Sequence, residues 1–245
     1  STGTVHIDKD YCAQKNIKVI NISKEYEFLR RISSTAELAL TGTLAACRNY
    51  IQCVNDARDI SVWDYERYVG RQILGRNIGV VGYGRLGSMY ANYMLALGAN
   101  VFVFETNKSV EINNDFRKAK SLQEIFLECE IVSLHIHADD NNINLINESI
   151  LQTAKPDLIL VNTSRGEIVN ERDIVQFLKK NINAMYVTDV IANEASARKK
   201  SPLYSKNIPE NQLIISQHIG GMTRDAQEIA YNKSICLLEV YLEQS

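Results

Sequence analysis

Between residues 76 and 217 short apolar, β-branched runs alternate with stretches of helical periodicity, and few folds accommodate that pattern. The runs fall at 78–81, 101–104, 131–134, 158–161, 185–188 and 213–216, each long enough for a strand buried on both faces. Between them, 86–97, 122–129, 146–153 and 174–179 carry apolar residues at helical spacing. Strands that alternate with helices pair in parallel through right-handed crossovers, so the expectation is an α/β fold with a doubly wound parallel sheet. Upstream, Lys18-Val19-Ile20-Asn21-Ile22 reads as one more strand. A helix is expected over 35–56, opened by the hydroxyls of Ser33, Ser34 and Thr35 with Glu37 in its first turn. A closing helix is expected over 223–242, and the first twenty or so residues read as the tail of another unit.

The first of these strands runs straight into Gly82-Tyr83-Gly84-Arg85-Leu86-Gly87, which opens the next helix. A G-x-G-x-x-G by itself is a weak signal, but between a strand and a helix it has a physical reading. Gly82 allows the tight turn, Gly84 lets a pyrophosphate approach the backbone, and Gly87 lets helix and strand pack closely. The helix N-terminus offers N–H groups and the positive end of its dipole to phosphate. Glu105, eighteen residues after Gly87 at the end of the second strand, stands where a carboxylate meets the adenosine ribose hydroxyls and repels a 2′-phosphate. NAD is therefore expected rather than NADP. The bland readings are a glycine-rich turn without a ligand and a solvated glutamate.

Three later segments each begin where a strand ends: Val161-Asn162-Thr163-Ser164-Arg165-Gly166, Thr188-Asp189-Val190-Ile191-Ala192-Asn193-Glu194, and Gln217-His218-Ile219-Gly220-Gly221. Ligands of such sheets bind beyond the carboxyl ends of the strands, so an Arg, a Glu and a His are expected to converge on one crevice. A histidine titrates in the range useful for proton transfer, a neighbouring carboxylate orients its ring, and a guanidinium pairs bidentately with a carboxylate. His135 and His137 point the same way on an extended chain and could grip a metal with Asp139 or Asp140, but no metal is expected.

With these motifs in this order the chain resembles the D-isomer-specific 2-hydroxyacid dehydrogenases, the family of phosphoglycerate, glycerate and D-lactate dehydrogenases. The similarity also runs through Thr2-Gly3-Thr4-Val5-His6-Ile7-Asp8, Thr35-Ala36-Glu37-Leu38-Ala39-Leu40, Trp63 ahead of Gly70, Leu74-Gly75-Arg76 and Val132-Ser133-Leu134-His135. It implies that Arg165 binds substrate, that His218 is the acid/base with Glu194 as its partner, and that Asp189 contacts the nicotinamide carboxamide. Thr163 joins the glycine loop, Glu105 and Asp189 in the implied cofactor site. Ala195 and Gln217 stand where the family usually has proline. The resemblance also implies the organisation of the chain: residues 1–22 as a remnant of a flavodoxin-like substrate domain, with Gly3-Thr4 in a substrate-carboxylate loop, 23–220 as the Rossmann NAD-binding domain, and 221–245 as a helix returning toward the substrate domain. A chain lacking most of the substrate domain is expected to bind NAD and turn over weakly. A homodimer through the 35–56 helix and the Trp63 segment is implied as well.

Charge and cysteine usage exclude other classes. Lys+Arg 27 against Asp+Glu 29 gives no electrostatic reason to expect nucleic acid as a partner. Five scattered cysteines with no C-x-x-C pair suggest neither a disulfide framework nor a thiolate zinc site. No apolar run approaches the roughly 20 residues of a membrane span, and a cytoplasmic location is expected. The expected partner is a small 2-hydroxy or 2-oxo acid. Two other roles remain open for such a chain: an NAD(H)-sensing binding protein of the corepressor kind, and an inactive structural relative.

Overall fold

Seven short strands, nearly all apolar, lie side by side and all in parallel in the computed structural model, which describes residues 7–59, 61, 63–204 and 208–244. They are β1 (Asn77–Val81), β2 (Asn100–Phe104), β3 (Arg117–Lys118), β4 (Ile131–Leu134), β5 (Ile159–Asn162), β6 (Met185–Thr188) and β7 (Leu213–Ile215). The helices are α1 (Lys9–Gln14), α2 (Tyr26–Leu29), α3 (Ser34–Cys47), α4 (Tyr50–Asp56), α5 (Arg85–Ala96), α6 (Leu122–Glu128), α7 (Glu148–Leu151), α8 (Glu171–Lys180) and α9 (Arg224–Glu243). The sheet order β3-β2-β1-β4-β5-β6-β7 turns around between β1 and β4, where a doubly wound sheet opens its ligand crevice. The register across that point is Ile78 to Ile131 and Val81 to Leu134.

The chain divides into two units, Ala36–His218 and the pair of segments Ser1–Thr35 and Ile219–Ser245. In the first, the alternation of each strand splits the apolar side chains between the two faces of the sheet. One face packs Val132, Leu134, Leu160 and Tyr186 under Ile125, Phe126, Ile174 and Leu178. The other packs Ile78, Val80, Val103, Val161 and Val187 under Ala39, Tyr90, Ala91 and Met94. On this second face Thr43 Oγ1 and the buried Tyr90 hydroxyl share a hydrogen bond of 2.8 Å, so the phenol carries its polar end inside without penalty.

One buried amide ties the sheet to a helix end. Gln212 is 1% exposed, and its Nε2 donates to the carbonyls of Leu178, Asn181 and Ala184 at 3.0, 2.8 and 2.9 Å. Those carbonyls belong to the end of α8 and the turn into β6, where helix geometry leaves acceptors without intrahelical donors. Gln212→Leu is expected to destabilise the protein by about 1–3 kcal/mol, because three carbonyls lose the hydrogen bonds of one shared buried amide. Thermal or urea denaturation of the variant against the parent checks this.

Three expectations from the sequence change here, and one strand forms that the sequence did not announce. Residues 18–22 form no strand: among the described residues they pair with no neighbour, and an apolar run becomes a strand only where a ladder receives it. The helix expected over 35–56 is two. Asn49 between α3 and α4 sits at φ 48, ψ 32, a left-handed conformation asparagine tolerates. Returning chain fills the break: Arg71 N–H donates to the Cys47 carbonyl at 2.7 Å, and Asn49 Nδ2 donates to the Val69 carbonyl at 3.3 Å. Gly70 is needed there, since a Cβ would collide with the Cys47 carbonyl oxygen. The helix expected over 146–153 contracts to the single turn α7, capped by Asn147, because Ile146 bridges to Val169 instead. Finally β3, two exposed charged residues, has no apolar signature, and the Arg117 guanidinium lies 4.7 Å from the Phe102 ring centroid.

The second unit holds α1, α2 and α9. Asp8 caps α1 by accepting the Tyr11 N–H at 2.8 Å, and Thr223 caps α9 by accepting that of Ala226 at 3.2 Å. Lys233 pairs with Glu25 at 2.8 Å. The Gly3-Thr4 segment lies outside the described residues.

Candidate active site

At the carboxyl end of β1 the three glycines of the loop each answer a different constraint. Gly82 has φ 89, and a Cβ there would sit 2.6 Å from both the His135 carbonyl oxygen and Ile136 Cγ2. Gly87, in the first turn of α5, touches the same turn, and a Cβ would collide with the Gly82 carbonyl oxygen. Gly84 caps α5 in extended geometry, and a Cβ on it would project into open space. So Gly82 and Gly87 are required by the fold. Gly84 is not, and its missing side chain leaves room in front of a helix N-terminus whose first-turn N–H groups have no intrahelical acceptor.

Glu105 closes one side of this loop. Its Oε2 accepts the Tyr83 N–H and its Oε1 the Asn107 N–H, both at 2.8 Å. The carboxylate is thus fixed beside the glycine turn, with lone pairs left for ribose hydroxyls. The Tyr83 ring meets Phe116 edge-on at 5.7 Å, and partial burial raises its phenol pKa. Leu86 and Arg85 are half-buried in the first turn of α5, and burial lowers the guanidinium pKa from the ordinary arginine value.

Beyond β5 the N-T-S-R-G turn ties itself down. Asn162 Oδ1 accepts the Ser164 N–H at 3.0 Å, its Nδ2 donates to the Arg165 carbonyl at 2.9 Å, and Ser164 Oγ donates to the Leu134 carbonyl at 2.6 Å. Thr163, 8% exposed, has a buried Oγ1 with no hydrogen-bond partner. A buried hydroxyl left unsatisfied is costly, and a ligand at the strand ends would satisfy it. The open space before Gly84, the fixed Glu105 carboxylate and this hydroxyl together fit a dinucleotide.

Beyond β6 and β7 lies a cleft of about 470 Å³ lined by Asp189, Glu194, Arg198, Tyr204, Ser216, Gln217 and His218 among others. Glu194 Oε1 and His218 Nδ1 are hydrogen-bonded, with both side chains partly open to solvent. His218 sits at φ 55, and its N–H donates to the Asp189 carbonyl at 2.9 Å. Asp189 is buried, and Ser216 Oγ donates to its Oδ1 at 2.6 Å. The structure therefore brings Asp189, Glu194 and His218 together. Arg165 is half-buried on the turn one strand away and does not line this cleft, its Nη1 donating to the Ser164 carbonyl at 2.7 Å.

His135 faces inward. Its Nε2 shares a hydrogen bond of 2.9 Å with Ser133 Oγ, its ring lies 5.0 Å from that of Tyr90, and burial pushes its pKa down to about 3, so the imidazole is neutral. His137, Asp139 and Asp140 are exposed, and among the described residues no three His, Cys, Asp or Glu gather as metal ligands. Ser216, and Glu167 and Glu171 on the segment after Arg165, escaped the sequence reading. A serine at a strand end and acids around a helix start look like ordinary capping chemistry.

Comparison with known proteins agrees with this geometry. Residues 40–220 match the family model described as D-isomer specific 2-hydroxyacid dehydrogenase, NAD binding domain. D-3-phosphoglycerate dehydrogenase of Haemophilus influenzae is 28% identical over 226 residues, covering 92% of this chain and 53% of that protein. Glycerate dehydrogenase of Cucumis sativus is 30% identical over 181 residues, covering 66% and 47%. The chain thus spans about half the length of these curated relatives. A crystal structure of D-lactate dehydrogenase from Aquifex aeolicus, complexed with NAD and lactic acid, superposes with a TM-score of 0.82 at 22% identity, over all of this chain and 75% of that one. The chain belongs to the D-isomer specific 2-hydroxyacid dehydrogenase family and carries its NAD-binding domain.

Proposed function

We propose that this chain is the cofactor-binding and acid/base part of an NAD-dependent dehydrogenase that interconverts a D-2-hydroxy acid and the corresponding 2-oxo acid. The observation that carries this is the Glu194–His218 hydrogen bond at the carboxyl edge of a sheet whose β1 opens into a dinucleotide loop. NAD, when bound, supplies the hydride acceptor, and NADH the donor. The glycine loop with Tyr83, Arg85 and Leu86 would receive the pyrophosphate, Glu105 the ribose hydroxyls, and Thr163 and Asp189 the nicotinamide end.

His218 does the proton work. With Nδ1 engaged by Glu194, Nε2 is the atom that takes the hydroxyl proton during oxidation and returns it to the carbonyl oxygen during reduction. Glu194 orients the ring and stabilises its charged form. Arg165 grips the substrate carboxylate or carbonyl oxygen with its planar guanidinium, turning toward the cleft to do so. In the whole protein we place residues 1–22 and the helix from 221 onward with the substrate domain, and 23–220 as the Rossmann domain.

We further propose a cytoplasmic homodimer built through α3, α4 and the Trp63 segment. Tyr50, Trp63, Tyr65 and Val69 are exposed there, an apolar surface of the kind that marks an interface. Light scattering should give twice the chain mass. Trp63→Glu and Tyr50→Glu together should halve it, and a monomeric parent would refute the dimer.

Two titrations test the functional reading. Glu105→Ala should weaken NADH binding about tenfold or more, since charge-assisted hydrogen bonds contribute about 1.5–3 kcal/mol each, and should narrow the preference over NADPH. Loss of NADH absorbance with a panel of 2-oxo acids should show turnover. NADH binding without turnover on any 2-oxo acid would instead support a cofactor-sensing role.

A further inference from the structure

The loop that carries Glu194 is held from beneath by two carboxylates that touch neither cleft nor ligand site. Glu171, in the first turn of α8 and 8% exposed, accepts the Ala192 N–H on Oε1 at 2.7 Å and the Ser201 hydroxyl on Oε2 at 2.6 Å. Ser201 Oγ in turn accepts the Leu203 N–H at 3.2 Å. Glu167 Oε1 accepts the Asn193 N–H at 3.0 Å. Consecutive N–H groups immediately before Glu194 are therefore both bonded to carboxylates of one short segment. That segment begins at the Arg165 turn: Gly166 lies so close to the Ile191–Ala192 peptide that a Cβ would collide with it.

The backbone needs such a hold. Asn193 sits at φ 52, a left-handed conformation that asparagine tolerates but does not fix by itself, and the residues after it form turns on the surface. A carboxylate buried this deeply is rare unless fully bonded, and both oxygens of Glu171 are spent on the two ends of the Glu194 loop rather than on α8 itself.

We propose that Glu171 is a positioning residue for the proposed acid/base pair: its buried carboxylate, seconded by Glu167, clamps residues 192–201 so that Glu194 stays on His218 Nδ1. This rests on the assignment of Glu194 and His218 made above. Arg165 and Glu194 then share one frame, because the segment that bears the arginine also holds the glutamate loop.

The test reads the His218 tautomer by nitrogen NMR of the full chain labelled at its 4 histidines, with His218→Asn to assign the signal. The bond to Glu194 holds the proton on Nδ1 in the parent. Glu171→Ala should release it toward the Nε2–H form and lower kcat on a 2-oxo acid about 10- to 100-fold, with NADH affinity unchanged. Glu171→Gln should restore both readings, since its amide oxygen can accept from Ala192 while its NH2 donates to Ser201 Oγ. If Glu171→Ala does not fold, Glu171→Asp replaces it: the charge remains but the shorter side chain cannot span both partners, and the same loss is expected. A parent-like tautomer in the Ala or Asp variant, with Glu194→Ala shifted, overturns the clamp alone. A tautomer unmoved by Glu194→Ala overturns the pair and the clamp with it.

Discussion

His218→Asn is expected to reduce kcat for a 2-oxo acid by about 10²–10⁴-fold, the usual worth of a general acid/base, while leaving NADH affinity unchanged. Asparagine is the informative replacement. The backbone at 218 is left-handed, a conformation asparagine adopts readily and alanine resists, so the Asn variant removes the imidazole without straining the turn that also delivers Gln217 and Ser216. The 218 N–H continues to donate to the Asp189 carbonyl. Steady-state kinetics with a fluorescence titration of NADH separates the two quantities. A variant with parent-like kcat would assign the proton transfer to another group.

The glycine loop yields the largest expected effect on stability. Gly87→Ala drives a Cβ into the Gly82 carbonyl oxygen, and Gly82→Ala adds contacts of 2.6 Å with the His135 carbonyl oxygen and Ile136 Cγ2 at a φ of 89. Strain and overpacking each cost about 1–3 kcal/mol, so either variant should melt well below the parent and bind no NADH. Gly84→Ala should behave oppositely. Its Cβ meets nothing within 4 Å and its φ is ordinary, so the melting temperature should stay near that of the parent while NADH binding falls, because the added methyl occupies the approach to the α5 N-terminus. Differential scanning calorimetry and NADH titration on the three variants check the contrast. A cold-melting Gly84→Ala, or one with full NADH affinity, would contradict this division of roles.

The parts of the fold that were legible share one physical trait. Strands β1, β2, β4, β5 and β6 are covered on both faces, so their sequences are mostly apolar and announce themselves. Strand β3 sits at the edge with Arg117 and Lys118 exposed, and a two-residue charged strand exists only because β2 offers it a ladder. The break at Asn49 was illegible for a related reason. It depends on chain near Gly70 and Arg71 returning to the Cys47 carbonyl, and no local pattern around residue 49 encodes that return. At the site, the glycine loop and Glu105 follow from spacing, and the pairing of Glu194 with His218 was anticipated through resemblance. The hold exerted by Glu171 was not, since an acid in the first turn of a helix reads as complementing the helix dipole. Only the folded position of the Ala192 N–H shows where that carboxylate is used.

The central claim is chemical, and isotope transfer tests it most directly. Incubating the protein with NADH deuterated at both nicotinamide C4 positions and a 2-oxo acid, then analysing the product by mass spectrometry and chiral chromatography, reports both the reaction and its stereochemistry. A 2-hydroxy acid of D configuration carrying one deuterium at C2, formed by the parent and not by His218→Asn, is the expected result. An unlabelled product, an L product, or tight NADH binding with no product on any 2-oxo acid would contradict it.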